Sequence, residues 1–247
     1  MDRKFFKGMW ESMQRRGYFA NHPHYTDHFG AVLSEEDKDL DAMILSLDFS
    51  SDEVTMPIPY SEALERGVKR TESIWLYKMF DLPLGGTALD LGCGFGRSVQ
   101  WLSKKYDHVF ASDLSAEVIA TAKQRCKAGN ITFCVNTADA LPQEIQSNAV
   151  DVAYIFTVFQ HIPREFSLNL LTQLGSILNH HGVVAFNLLS NVNEDINKGE
   201  TATEWAIGYS KQQARELVET AGLKLIRLVN WSRPETKMSW LWVLAGR

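Results

Sequence analysis

Ten residues, Leu89-Asp90-Leu91-Gly92-Cys93-Gly94-Phe95-Gly96-Arg97-Ser98, set three glycines at alternate positions with a carboxylate two places ahead of the first. The apolar run from Thr87 to Leu91 reads as a buried strand, and a helical pattern follows from Arg97 to Lys105. A strand, a glycine turn and a helix in succession bring backbone close to a nucleotide-like ligand. Glycine supplies the positive φ and the missing Cβ that such an approach needs. The helix start adds unpaired N–H groups that suit a carboxylate or phosphate. Asp113 lies about twenty residues beyond the turn, at the end of a second strand over His108 to Ser112; there a carboxylate can accept from both ribose hydroxyls. The alternative is that Asp113 only caps the next helix, although Ser115 is the better N-cap. His161 is the candidate general base, since an imidazole with a reference pKa near 6.5 removes protons at neutral pH.

The elements that must hold these groups follow from the pattern. From Leu84 onward, apolar strands alternate with helices, which implies a parallel sheet covered on both faces. Strands are expected at 87–91, 108–112, 131–135, 150–156, 183–189, 223–231 and 238–245. Helices are expected from Ser115 toward Cys126, from Pro163 at the first helical position to about Leu178, and from the Ser210 cap to Ala221. His180-His181-Gly182 closes the second of these. Ser190 to Gly208 is a polar insertion at the end of a strand, a place where loops carry function. Its Trp205, with Tyr209 just beyond, either lines an acceptor pocket or pins the loop.

The G-x-G-x-G spacing differs from the G-x-G-x-x-G of dinucleotide sites. Together with Asp90 it resembles motif I of the class I S-adenosylmethionine (SAM) methyltransferases. The resemblance covers about residues 70–247. It implies an α/β, Rossmann-like fold with a seven-stranded, mostly parallel sheet in the order 3-2-1-4-5-7-6, closed by an antiparallel hairpin. It further implies SAM as cofactor, S-adenosylhomocysteine as product, and methyl transfer to an O or N atom of a small molecule by in-line displacement.

Residue by residue, the family pattern implies cofactor contacts by Asp90, Gly92, Cys93, Gly94, Asp113 and Leu114. Asp139 and Ala140 fall on the adenine segment, and Phe156 and Thr157 on the methionine end. Gln160 and His161 then fall where an acceptor lies, although the histidine before Ile162-Pro163 is often a packing residue in this family. Helices ahead of motif I often close over the cofactor, where Tyr60, Arg66 and Arg70 could reach the methionine carboxylate. A nicotinamide-dependent oxidoreductase and a non-catalytic scaffold of the same fold are the competing classes.

Residues 1–84 show no strand alternation of any length and read as an N-terminal helical cap, ahead of a cofactor domain at 85–247 with the insertion at 190–209. The stretch from Asp52 to Pro59 is expected to be a loop. Tyr18, His24 and Tyr25 are candidates for substrate contact, with Tyr60, Gln160, Trp205 and Tyr209. His22, His24 and His28 fit no metal spacing and Pro23 interrupts them, so no metal is expected.

The 247 residues carry a net charge of −5, which provides no phosphate-neutralising surface, so a nucleic-acid partner is not expected. No apolar run reaches the ~18–20 residues of a membrane span, and no apolar leader is evident at the N-terminus. Cys93, Cys126 and Cys134 read as small buried hydrophobes in a reducing cytoplasm. Only Cys93 lies in the glycine turn; Cys126 and Cys134 are expected on a helix and a strand away from it, which disfavours arsenic methylation. The residues leave the acceptor and the oligomeric state open.

Overall fold

The computed structural model describes residues 7–8, 11–12, 47–55, 79–146, 149–190, 207–232 and 239–247. In chain order the strands are β1 (Glu53–Thr55), β2 (Thr87–Leu91), β3 (His108–Asp113), β4 (Ile131–Val135), β5 (Val150–Ile155), β6 (Leu178–Ser190), β7 (Gly208–Tyr209), β8 (Lys224–Ser232) and β9 (Ser239–Gly246). The helices are α1 (Arg97–Leu102), α2 (Ala116–Arg125), α3 (Gln143–Gln146), α4 (Arg164–Ile177) and α5 (Lys211–Thr220). The sheet runs β1-β8-β9-β6-β5-β2-β3-β4, with β7 added to β6. The seven expected strands are all present in the expected order, with β8 and β9 as the antiparallel closing pair. The other pairings along the path are parallel except β6 with β9.

The central strands form because their apolar runs are buried from both sides. Ala88, Leu89, Val109, Ala111, Val152 and Ala153 are fully buried. One core layer joins α3, α4 and α5 to the sheet through Ile145, Leu170, Leu174 and Val218. The other joins α1 and α2 through Val99, Leu102 and Ile119, and also includes Phe49, Val54, Met79 and Phe80. Ser115 Oγ caps α2 by accepting from Val118 N. Ser210 and Gln213 cap α5 reciprocally.

Four expectations need correction. Residues 53–55 form a strand, not a loop, because they pair in parallel with Asn230–Ser232 at the sheet edge. The helix after the glycine turn ends at Leu102 rather than Lys105. Pro163 is the N-cap of α4, with an extended ψ of 144°, rather than its first helical residue. Residues 178–182 belong to β6, because Leu178 already pairs with Val150 across a register slip at Val150/Val152. Gly182 is required in that slip, since a Cβ there would lie 2.8 Å from Val150 O.

Described residues ahead of residue 84 pack on the sheet. Arg227 of β8 donates to the carbonyls of Phe49, Ser51 and Met79 and pairs with the Asp52 carboxylate. Residues 47–55 and 79–82 are thereby fastened to the sheet.

Candidate functional site

After β2 the chain runs to β3 on one side and reaches β5 on the other, so the carboxyl end of β2 is a topological switch point, where open α/β sheets bind ligands. The glycine turn occupies that end. Gly92, Gly94 and Gly96 have φ of 82°, 53° and 88°, which side-chain-bearing residues rarely adopt. The turn folds over β3: the N–H groups of Gly92 and Cys93 donate to Ser112 O at 2.7 and 2.9 Å, and Gly94 N donates to Asp113 Oδ2 at 3.1 Å.

Asp113 Oδ1 accepts from Ser115 N at 3.0 Å. Each Asp113 oxygen thus takes at least one backbone donor, and the carboxylate, with about four acceptor sites, keeps capacity for more. Crowding by protein atoms raises the Asp113 carboxyl, against the lowering effect of the Ser115, Gly94 and Leu114 amides, although part of the residue's surface stays open. Ser115 Oγ supplies the N-cap of α2, accepting from Val118 N, while Asp113 holds the N–H of Ser115 itself.

Asp90 is 3% exposed, and its Oδ2 has no hydrogen-bond partner. Burial pushes its carboxyl up to about 7; Arg97 opposes the shift and Asp113 adds to it. A buried carboxylate oxygen without a donor, beside a turn of positive-φ glycines, suits a ligand that brings a cationic or hydrogen-bond-donating group. The residues present therefore fit the nucleoside and amino-acid ends of SAM.

Cys93 is buried, and burial together with Asp113 and Asp90 holds its thiol neutral. Its side chain is consequently no nucleophile. Cys126 is not remote from the turn as expected. Its thiol donates to Gly96 O at 3.3 Å, and a Cβ on Gly96 would lie 2.4 Å from the sulfur. Arg125 sits 4.9 Å from the centroid of the Phe95 ring and ties the end of α2 to the turn.

Leu114 packs on the core beside Asp113. Asp139 and Ala140 follow β4, in the neighbouring loop. The Asp139 carboxylate accepts from Asn169 Nδ2 at 3.1 Å and its carbonyl from Gln173 Nε2 at 2.8 Å. Gln173 Oε1 also accepts from Leu141 N, so one face of α4 holds this loop. Phe156 and Thr157 leave the end of β5, which β2 and β3 separate from β4 across the switch point. Thr157 has φ 57°, and its N–H donates to Oδ1 of buried Asn187 at 2.7 Å.

Gln160 is 92% buried and its Oε1 has no hydrogen-bond partner, while its carbonyl accepts from Ile207 N. His161 is half-buried in a single 3₁₀ turn over Phe159–His161. Tyr209 is 1% exposed in the core, with the Arg164 guanidinium 5.1 Å from its ring centroid and Arg164 donating to Gly208 O. These contacts hold Gly208–Tyr209 against α4. Tyr18, Tyr25, Tyr60, Arg66, Arg70 and Trp205 lie outside the described residues, as do His22, His24 and His28.

Asn169, Gln173 and Asn187 were not singled out from the sequence. The first two stand four apart on a helix, facing one loop; Asn187 is the one polar residue in the apolar run from Val183 to Leu189. Among the described residues no three His, Cys, Asp or Glu side chains gather as a metal site, and no helix is long and apolar enough to cross a membrane.

Residues 88–182 match the family model described as "Methyltransferase domain". Phosphoethanolamine N-methyltransferase 1 of Triticum aestivum is 28% identical over 136 residues, covering 53% of this chain and 27% of that protein. Its Arabidopsis thaliana namesake is 26% identical with the same coverage. The chain thus spans about a quarter of the length of the curated relatives it matches. Among solved structures, magnesium protoporphyrin IX methyltransferase from Synechocystis with bound SAM aligns with a TM-score of 0.59 at 16% identity, covering 100% of this chain and 98% of that one. The DhpI-SAM-HEP complex aligns with a TM-score of 0.57 at 17% identity, covering 87% of this chain and 99% of that one. Residues 88–182 are thus similar to a methyltransferase domain, and the solved structures share the fold of this chain.

Proposed function

We propose that this chain transfers a methyl group from SAM to an oxygen or nitrogen of a small-molecule acceptor by in-line displacement. The observation that carries the proposal is the buried Asp90 carboxylate, with an oxygen that has no donor, set beside the three-glycine turn. The cofactor supplies a sulfonium methyl that is already activated. What the protein supplies is grip, alignment and a route for the acceptor's proton.

In this proposal Asp113 accepts from both ribose hydroxyls, using the lone pairs that Gly94 and Ser115 leave available. Gly92, Cys93 and Gly94 contribute backbone, and Asp90 faces the amino-acid end. Leu114, Asp139 and Ala140 border the adenine, with Asp139 held by Asn169. Phe156 and Thr157 border the methionine end, and Arg70 answers the methionine carboxylate. Residues ahead of the glycine turn supply the cap over the site, and Tyr18, Tyr25, Tyr60, Trp205 and Gln160 contact the acceptor. Holding the acceptor atom in line with the methyl supplies ~7–11 kcal/mol of barrier lowering. His161 takes the proton of an alcohol acceptor; a neutral amine can do without it. The names of the wheat and Arabidopsis relatives favour nitrogen.

The test is isothermal titration of S-adenosylhomocysteine into wild type and Asp113→Ala. Wild type should bind in the micromolar range. The variant should lose ~10²–10⁴-fold, the loss expected when two hydrogen bonds to a charged group are removed. Micromolar binding that survives the substitution refutes the ribose assignment.

A further inference from the structure

Thr157 is a β-branched residue with φ 57°, a backbone state that such a side chain disfavours. Strained non-glycine backbone persists only where neighbouring groups hold it. Here the holding group is Asn187 on β6, 2% exposed, on the same sheet face as Ala185 and Leu189. Its Oδ1 accepts from Thr157 N at 2.7 Å, which also fixes which end of the amide faces the turn. Thr157 Oγ1 closes the turn by donating to Phe156 O at 2.7 Å.

The next residue carries the consequence across the switch point. Val158 lies so close to Gly92 that a Cβ there would sit 2.2 Å from Val158 Cγ2. The conformation of Thr157 thus decides where Val158 presses on the glycine turn.

Building on the methyltransferase proposal, we infer that Asn187 is a positioning residue of the cofactor site. It keeps Thr157 left-handed so that Val158 seats on Gly92 and the glycine turn holds the shape the cofactor requires. Asn187 itself need not touch the ligand. An amide oxygen in the otherwise apolar run from Val183 to Leu189 serves the turn opposite it.

The test is isothermal titration of S-adenosylhomocysteine into the full chain, with thermal melts as a check on folding. Asn187→Leu, which removes the acceptor oxygen, should bind about tenfold more weakly. Asn187→Asp, which keeps it, should recover most of that loss. The double variant Asn187→Leu with Thr157→Gly should also recover affinity, because glycine adopts positive φ without help; a residue that merely filled space would not be rescued in this way. Asn187→Ala removes the oxygen without adding bulk and provides the same measurement if the leucine variant does not fold.

Unaltered affinity in the leucine or alanine variant, or a double variant as weak as the single one, overturns the inference alone. A wild-type chain that binds no S-adenosylhomocysteine overturns the methyltransferase proposal and this inference with it.

Discussion

Replacing Asp90 with asparagine should stabilise the protein at pH 8 and leave it nearly unchanged near pH 4. In the folded chain, burial holds the Asp90 carboxyl at about 7, with Asp113 adding to the shift and Arg97 opposing it; its ordinary value is 3.8. Between those limits the native state keeps a proton that the unfolded chain has released. The native state therefore binds more protons, and unfolding free energy falls as pH rises. The contribution is present in full below pH 3.8, is lost progressively up to about pH 7, and is flat above. At ~1.36 kcal/mol per pH unit, the interval amounts to about 4 kcal/mol. Asparagine has a similar shape and no charge at any pH, so it escapes this loss. Urea denaturation of both proteins from pH 4 to 8.5 measures the difference. With m of ~2–3 kcal/mol/M, the midpoints should separate by roughly 1.5–2 M at pH 8 and converge at pH 4. Parallel pH curves for the two proteins refute the argument that Asp90 is buried without enough compensating donors.

Two other outcomes follow from the geometry. Arg227→Ala removes donors from the carbonyls of Phe49, Ser51 and Met79 and should cost about 2–3 kcal/mol. Limited proteolysis should cut faster within residues 47–55, and lysine should rescue poorly because one ammonium cannot reach three carbonyls; unchanged cleavage and melting contradict the clamp. His161→Ala should lower kcat by ~10²–10⁴-fold with an alcohol acceptor while leaving S-adenosylhomocysteine affinity intact; an unchanged rate removes His161 from the role of base.

The parts of the molecule legible in the sequence are those whose signal is local. Gly92, Gly94, Gly96 and Asp113 announce a turn and a strand end by spacing, and the apolar runs announce the seven main strands. Features that depend on contacts between distant segments were not legible. Glu53–Thr55 becomes a strand only because β8 offers it an edge. Cys126 comes to lie under Gly96 across thirty residues of chain, and no pattern encodes that meeting. The sequence reads Tyr209 as pocket or pin alike, and its burial beside Arg164 is a contact that no local pattern encodes. Asn187 belongs to no motif, and its bond to Thr157, in the turn after β5, joins residues thirty apart in the chain.

The position of β9 has a consequence for synthesis on the ribosome. This strand lies between β6 and β8 and joins them, yet it is the last of the sheet to be translated. Until it arrives, β6 presents a nascent row of unpaired amides and carbonyls beside apolar side chains. The delay from β6 to β9 is roughly fifty residues, a few seconds at ~5–20 residues per second. During those seconds the growing polypeptide carries an open flank suited to capture by chaperones or by another nascent chain. Slowing translation between residues 190 and 239 should therefore lower the soluble yield.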